Sequence, residues 1–288
     1  EASWKKFGIR SQMSREDWRR ENVDAFIERV YRSIKNAKPP VKFGVSPRGI
    51  WRPGNPPQIK GTDAYAELYA DSRKWLAHGW VDYLAPQLYW ARSPKEQSFG
   101  VLLNWWVDQN PKHRHLWPGI AIWRARQWSA DEIPSQVQLT RDSTGASGYI
   151  LYNASSLMQN ASLSAQFSRT LNIQPALVPP SRWLVGALPG KPIASVSIGV
   201  FRTKLSWSPA ATNSIRWWLV QTKDSGEWKT ELLPSTVLSK SFSTAPDVVS
   251  VSAIDRAGNL SSPAVLQLKE SSPAPVPKEK PLPRAKNY

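Results

Sequence analysis

Read from the first residue, the chain shows a helical spacing of apolar positions. Val23, Phe26, Ile27, Val30 and Ile34 recur at helical intervals, behind Ser14 and Asp17, which form a capping-box-like start. Pro39-Pro40 ends that helix. A short apolar run at 41–46 then predicts a buried strand, closed by Pro47 and followed by a long loop, RGIWRPGNPP. A second helix is predicted over about 63–77, with Gly79 as its stop. Strand VDYLAPQLYW at 81–90 follows, then a helix started by Ser93-Pro94 and carrying Leu102, Leu103 and Trp106. Strand LWPGIAIW at 116–123, a capping box at Ser129 and Glu132, strand GYILYN at 148–153 and a helix over about 156–171 complete the series.

The order is a helix, then strand and helix four times. Near-continuous apolar strands between amphipathic helices predict parallel pairing buried on both faces. A closed (β/α)8 barrel takes about 250 residues and eight such units. Four units imply half a barrel or a small doubly wound sheet.

Beyond residue 180 the period changes to two. Seven short strands (193–200, 201–208, 214–222, 228–234, 237–244, 247–255 and 263–268) lie between turn residues, the spacing of an all-β sandwich. Asp255–Asn259 reads as a hairpin turn in which Gly258 and Asn259 supply positive φ. With no Cys pair, a fibronectin-III-like sandwich fits best. The expected division is 1–172, 180–269 and a Pro/Lys-rich disordered tail at 270–288.

Composition removes several function classes. The chain has 288 residues, no Cys, three His and 16 Trp, and 38 basic against 22 acidic residues give a net charge of +16. Zero Cys excludes a disulfide scaffold, a thiolate zinc site and a thiol nucleophile. His113 and His115 lie two residues apart before a strand, with no third ligand apparent. There is no Gly-rich phosphate loop, so neither metal nor cofactor is expected, and no apolar run is long enough to span a membrane. The chain opens on Glu1 without a signal peptide, so it is expected to begin inside a longer translation product. The positive charge is spread: residues 1–170 hold 24 basic and 15 acidic side chains. No single-strand motif interleaves it with aromatics, so nucleic acid is not the expected partner.

Three blocks carry a resemblance: DWRRENVDAFIERVYRSIK at 17–35, KFGVSPRGIWR at 42–52 and VDYLAPQLYW at 81–90. In this order and spacing, over roughly 11–160, the chain resembles the glycosyl-hydrolase-like family 10, bacterial envelope proteins with a TIM-barrel domain. The resemblance implies that strands 5–8 of the barrel are present and that the chain is N-terminally truncated. The family's acidic Phe-Asp-Asp-Tyr-type block, expected on strand 4, does not occur here. It also implies a following sandwich domain, a bacterial cell-envelope location (periplasmic, lipid-anchored or secreted) and a glycan substrate such as peptidoglycan strands.

Barrel active sites sit at the C-terminal ends of the strands. Those ends carry Ser46, Arg48, Trp51 and Arg52; Gln87, Tyr89, Trp90 and Arg92; Trp123, Arg124 and Arg126; and Tyr152 and Asn153. Alternation places Gln87 and Tyr89 on the lumen side and Leu88 and Trp90 on the other. Aromatic faces stack on sugar C–H faces, while Gln, Asn and Arg bond hydroxyls and carboxylates. The substrate-binding set is therefore Arg48, Trp51, Arg52, Gln87, Tyr89, Trp90, Arg124, Tyr152 and Asn153, and Arg48, Arg52 and Arg124 suggest an acidic glycan. Glycoside hydrolysis needs two carboxylates, and no strand end supplies one. Asp82 opens its strand at the wrong end, and Asp131 and Glu132 read as helix-start charges. The catalytic pair is expected in the absent half, leaving this segment as substrate wall. The alternative is a non-catalytic carbohydrate-binding envelope protein. An open four-stranded sheet exposes two edges, which predicts poor solubility or dimerisation.

Overall fold

A computed structural model describes residues 2–184, 187–210 and 215–269; the expected disordered tail at 270–288 lies outside them. The chain divides into two compact units. One is formed by residues up to Leu188 with Arg256–Asn259, the other by Pro189–Asp255 and the residues from Leu260 on. No described helix is long and apolar enough to cross a membrane.

The first unit begins with α1 (Arg15–Ala37). The Ser14 side chain accepts from the Asp17 amide at 3.0 Å, and its hydroxyl donates to the Asp17 carboxylate at 2.7 Å. Its packing departs from the apolar stripe: Phe26 is exposed, whereas Arg20 and Asp24 are buried. Asp24 accepts from the Trp75 indole (2.6 Å) and from Lys74 (2.8 Å). Arg20 lies 3.7 Å from the Tyr65 ring centroid and donates to the Tyr65 carbonyl at 2.6 Å. A polar network thus supplements Ile27 in docking this helix.

Five short strands follow: β1 (Gly44–Val45), β2 (Tyr83–Leu84), β3 (His115–Leu116), β4 (Gly119–Ala121) and β5 (Ile150–Tyr152). Every pairing is parallel, β1–β2–β3 and β4–β5, joined by single bridges Arg48–Gln87 and Gln87–Gly119. The strands are shorter than their apolar runs for a physical reason. Pro47, Pro86 and Pro118 lie in register on three neighbouring passes, and none has an N–H to give. Their carbonyls still accept, from Gln87 (3.0 Å), Gly119 (2.8 Å) and Ile150 (3.0 Å) respectively. This proline row interrupts the regular ladder without separating the strands.

The helices are more broken than their periodicity predicts. The expected 63–77 helix is α2 (Ala64–Glu67) and α3 (Ser72–His78), separated by Tyr69 at φ 53°. Asp63 and Asp71 cap them, accepting from the amides of Ala66 (2.9 Å) and Lys74 (3.2 Å). The next helix, α4 (Phe99–Asp108), starts after Ser98 rather than at Ser93-Pro94; Pro94 instead opens a turn that its carbonyl closes by accepting from the Gln97 amide at 3.2 Å. No capping box precedes α5 (Glu132–Asp142): Ser129 accepts from Glu132 through its backbone carbonyl, and Asp131 is the cap position. The expected 156–171 helix is α6 (Ala154–Met158), α7 (Ala161–Gln166) and a wide turn at Phe167–Leu171. Between these helices and the strands lies one core, centred on Leu76, Leu84, Leu88, Leu102, Leu103, Trp106, Leu116 and Ile120. Trp106 donates its indole N–H to the Gly49 carbonyl at 2.8 Å, satisfying a polar atom that burial would otherwise strand.

The second unit contains all seven strands its alternation predicts: β6 (Ile193–Ile198), β7 (Thr203–Ser208), β8 (Ile215–Asp224), β9 (Glu227–Pro234), β10 (Ser239–Phe242), β11 (Val248–Asp255) and β12 (Ala264–Gln267). They form two antiparallel sheets, β10-β7-β6 and β12-β11-β8-β9. Leu205, Trp207, Trp218, Val220, Val249 and Val251 form its core, with the two Trp rings 6.4 Å apart edge to face. The β8–β9 hairpin turns through Ser225 and Gly226, at φ 51° and 90°, the primed geometry that matches strand twist. In the Asp255–Asn259 turn only Gly258 has positive φ (85°); Asn259 is buried instead.

Candidate functional site

Alternation sorts the strand residues of the first unit into two faces. Leu84, Leu88, Leu116 and Ile120 point into the helix-side core, leaving Tyr83, Gln87, Tyr89, Trp117 and Tyr152 for the other face. That face is tiled with rings laid against glycines. A Cβ on Gly44 would sit 2.2 Å from the Tyr83 ring, and one on Gly119 3.0 Å from Tyr89. Each glycine thus admits an aromatic plane lying flat across the sheet. Tyr83 and Trp117 also stack on each other at 4.5 Å.

At the C-terminal ends of the strands three rings meet. Tyr89 stacks on Tyr152 at 5.5 Å and meets Trp123 edge-on at 4.8 Å; Trp123 meets Tyr152 edge-on at 5.4 Å. Tyr152 is 50% exposed and Trp123 37%, so the cluster offers open aromatic surface. Burial, reinforced by the adjacent Tyr152 hydroxyl, raises the Tyr89 pKa above its ordinary value; its phenol is a neutral hydrogen-bonding group at physiological pH. Trp123 lies in a 3-10 turn (Ile122–Arg124) directly after β4. Beside these rings Gln87 donates to the Ser46 carbonyl at 3.0 Å, and Arg48 is exposed at the end of the first strand pass.

Other expected site residues are placed differently. Trp51 is buried at 8% exposure, donates its indole N–H to Asp71 at 3.0 Å and stacks on Trp105 at 5.9 Å, which makes it a core residue. Arg52 pairs with Asp63 at 3.5 Å and lies over the Tyr65 ring. Trp90 packs against the helix-side core, and its carbonyl accepts from Gln136 at 3.0 Å. The Arg124 guanidinium lies 5.9 Å from the Trp123 ring, with its Nε buried and unpartnered. Asn153 is the cap of α6: its side-chain oxygen accepts from the Ser156 amide at 3.0 Å and from the Ser155 hydroxyl at 2.7 Å. The structure therefore brings Gln87, Tyr89 and Tyr152 together, adds Trp123, and assigns Trp51, Trp90 and Asn153 to packing and capping.

The nearby carboxylates are engaged. Arg92 binds Asp131 at 2.7 Å and Glu132 at 3.1 Å; Glu132, 5% exposed, also accepts from the Arg92 amide and from Gln136. The Ser129 hydroxyl and then Arg92 hold the Asp131 pKa below the usual value. At the opposite strand ends, fully buried Asp82 accepts from Lys35, from the Phe43 amide (2.7 Å) and from the Trp183 indole (2.8 Å). Beside it His115 shares hydrogen bonds with the hydroxyls of Ser181 (2.9 Å) and Ser147 (3.2 Å). Burial, aided by Lys42 and Arg114 against the pull of Asp82, lowers its pKa to about 4. A groove of about 930 Å3, lined by Tyr83, Trp117, Tyr149 and residues 174–179 among others, also lies away from the three-ring cluster.

Residues 2–135 match the family described as glycosyl hydrolase-like 10. The glycosyl hydrolase YngK of Bacillus subtilis is 34% identical over 206 residues, covering 67% of this chain and 40% of that protein. The glycosyl hydrolase DigH of Escherichia coli K12 is 41% identical over 124 residues, covering 41% of this chain and 28% of that protein. The chain thus spans less than half the length of either relative. Among solved structures, a fibronectin type III domain of human collagen XX aligns at 20% identity over 32% of this chain and all of that one, with a TM-score of 0.24.

Proposed function

Because residues 2–135 belong to the glycosyl hydrolase-like 10 family, we propose that this chain forms the glycan-binding wall of a glycosidase. The observation that carries the proposal is the Tyr89–Trp123–Tyr152 cluster, three touching rings with exposed faces at the C-terminal ends of parallel strands. Flat aromatic surface flanked by amide and guanidinium donors suits sugar rings, whose C–H faces are apolar and whose edges are hydroxyl-rich.

In this reading the four parallel strand passes, sequential in space as in sequence, are half of a (β/α)8 barrel. The second unit is a fibronectin-III-like module, a reading supported by its three-plus-four strand order. The substrate is a bacterial cell-envelope glycan, with peptidoglycan strands as the leading candidate, and the excess of 38 basic over 22 acidic residues suits an anionic envelope surface. The general acid and its partner carboxylate come from a part of a relative-length protein that these 288 residues do not span. Asp131 and Glu132 serve Arg92 instead, and Asp82 serves a structural network at the far strand ends.

The test is release of soluble saccharides from isolated cell-wall glycan. A protein of the relatives' length is expected to release them, while the 288-residue chain binds the glycan without cleaving it. Cleavage by the 288-residue chain alone would overturn this site assignment. Those engaged carboxylates equally favour a second reading, a carbohydrate-binding protein with no catalysis, which predicts binding without release even at the relatives' length.

A further inference from the structure

Beside the exposed Trp123 ring lies a cleft of about 120 Å3, lined by Ile122, Trp123, Arg126, Ser156, Gln159 and Asn160. Arg126 is exposed and donates one long hydrogen bond, 3.4 Å to the Gln159 carbonyl. It forms no ion pair among the described residues. Of the neighbouring arginines, Arg52 is committed to Asp63, Arg92 to Asp131 and Glu132, and Arg124 is packed along Trp123 with its Nε buried; Arg48 is exposed but does not line this cleft. Of the cations after β4, Arg126 therefore keeps a planar fork of donors open to solvent next to an open aromatic face. A guanidinium fork matches a planar carboxylate through two parallel hydrogen bonds. The cleft has room for a substituent of that size but not for a further sugar ring.

We propose that this cleft is a carboxylate subsite: Arg126 binds the acidic substituent of a sugar ring stacked on Trp123. Arg126 thereby determines specificity for acidic over neutral glycans. The inference rests on the glycan-binding reading of the three-ring cluster and adds a specificity-determining residue to it. Ser156 does not compete for the ligand, because its hydroxyl is donated to Asn153 at 3.0 Å.

The experiment measures binding of the 288-residue chain, by calorimetry, to two probes with the same backbone. One is a strand of alternating N-acetylglucosamine and lactyl-bearing N-acetylmuramic acid; the other is that strand with the lactyl carboxylates converted to neutral methyl amides. The wild type is expected to prefer the acidic strand about tenfold, the worth of one charge-assisted contact. Arg126→Gln is expected to bind both strands with the affinity the wild type shows for the neutral one, with its melting point unchanged. Arg126→Lys is expected to retain part of the preference. Equal wild-type affinity for the two strands, or a preference that survives Arg126→Gln, would overturn the subsite and leave the glycan reading standing. Failure to bind either strand would overturn the glycan reading and the subsite with it.

Discussion

Removing the Asp82 carboxylate separates a structural from a catalytic role for the most buried acid among the described residues. Asp82 is fully buried and accepts from the Lys35 ammonium, the Phe43 amide and the Trp183 indole, with the Tyr31 hydroxyl at 3.4 Å. The Lys35 side chain is only 16% exposed, so Asp82→Ala leaves a largely buried cation without its counter-charge. Breaking one side of such a pair costs about 3–5 kcal/mol. At about 3 °C per kcal/mol, the melting midpoint of the first unit falls by roughly 10 °C. Asp82→Asn keeps one oxygen acceptor but turns the other into an NH2 facing donors and also leaves Lys35 without its counter-charge, so its cost falls in the same range, about 3–5 kcal/mol. Urea unfolding followed by near-ultraviolet circular dichroism, which reports the tryptophan-rich first unit, measures both losses. Glycan binding below the transition should match wild type in both variants. If Asp82→Ala unfolded at the wild-type urea concentration yet abolished saccharide release in a relative-length protein, the structural assignment would be refuted.

Two further outcomes follow from the same packing. Trp51→Ala empties a core position stacked on Trp105 and removes the indole donor to Asp71; it should cost about 3–5 kcal/mol in chemical unfolding while leaving glycan affinity within twofold. His115 stays neutral in the folded protein down to about pH 4, whereas an unfolded chain protonates it near 6.5. Protons therefore favour unfolding across that window. Its contribution is intact above about pH 6.5 and declines by about 3 kcal/mol as the pH falls to about 4, so unfolding free energies measured at pH 7 and pH 4.5 should converge in His115→Gln relative to wild type.

The sandwich was the most legible part of the chain because its strands are held by local alternation. Period two in residues such as Val249, Val251 and Ala253 both names the strand and picks its buried face. The same parity argument correctly separates Gln87 and Tyr89 from Leu88 in the parallel sheet. It also puts Trp90 on the core side, which argues against counting that residue as a sugar contact. Helix breaks were less visible, since the apolar period runs on across them. The signal lay in the side chains of Asp63, Asp71, Asn153 and Asn160, each of which caps a new helix. Trp51 sits in a loop after a strand, where reach into a site and reach into the core look alike in sequence; only its bond to Asp71 decides. The proline row at Pro47, Pro86 and Pro118 could have shortened the predicted strands, because each removes a ladder donor. Pairing of Arg52 with Asp63 and of Arg92 with Asp131 and Glu132 depends on tertiary placement that no local pattern encodes.

The central claim, that the Tyr89–Trp123–Tyr152 cluster is where a glycan binds, is tested most directly by titrating a cell-wall glycan strand into Trp123→Ala. Loss of one stacking ring costs about 1.5 kcal/mol, so the predicted result is an affinity about tenfold weaker with an unchanged melting point. Wild-type affinity in Trp123→Ala and in the Tyr152→Ala variant alike would contradict it.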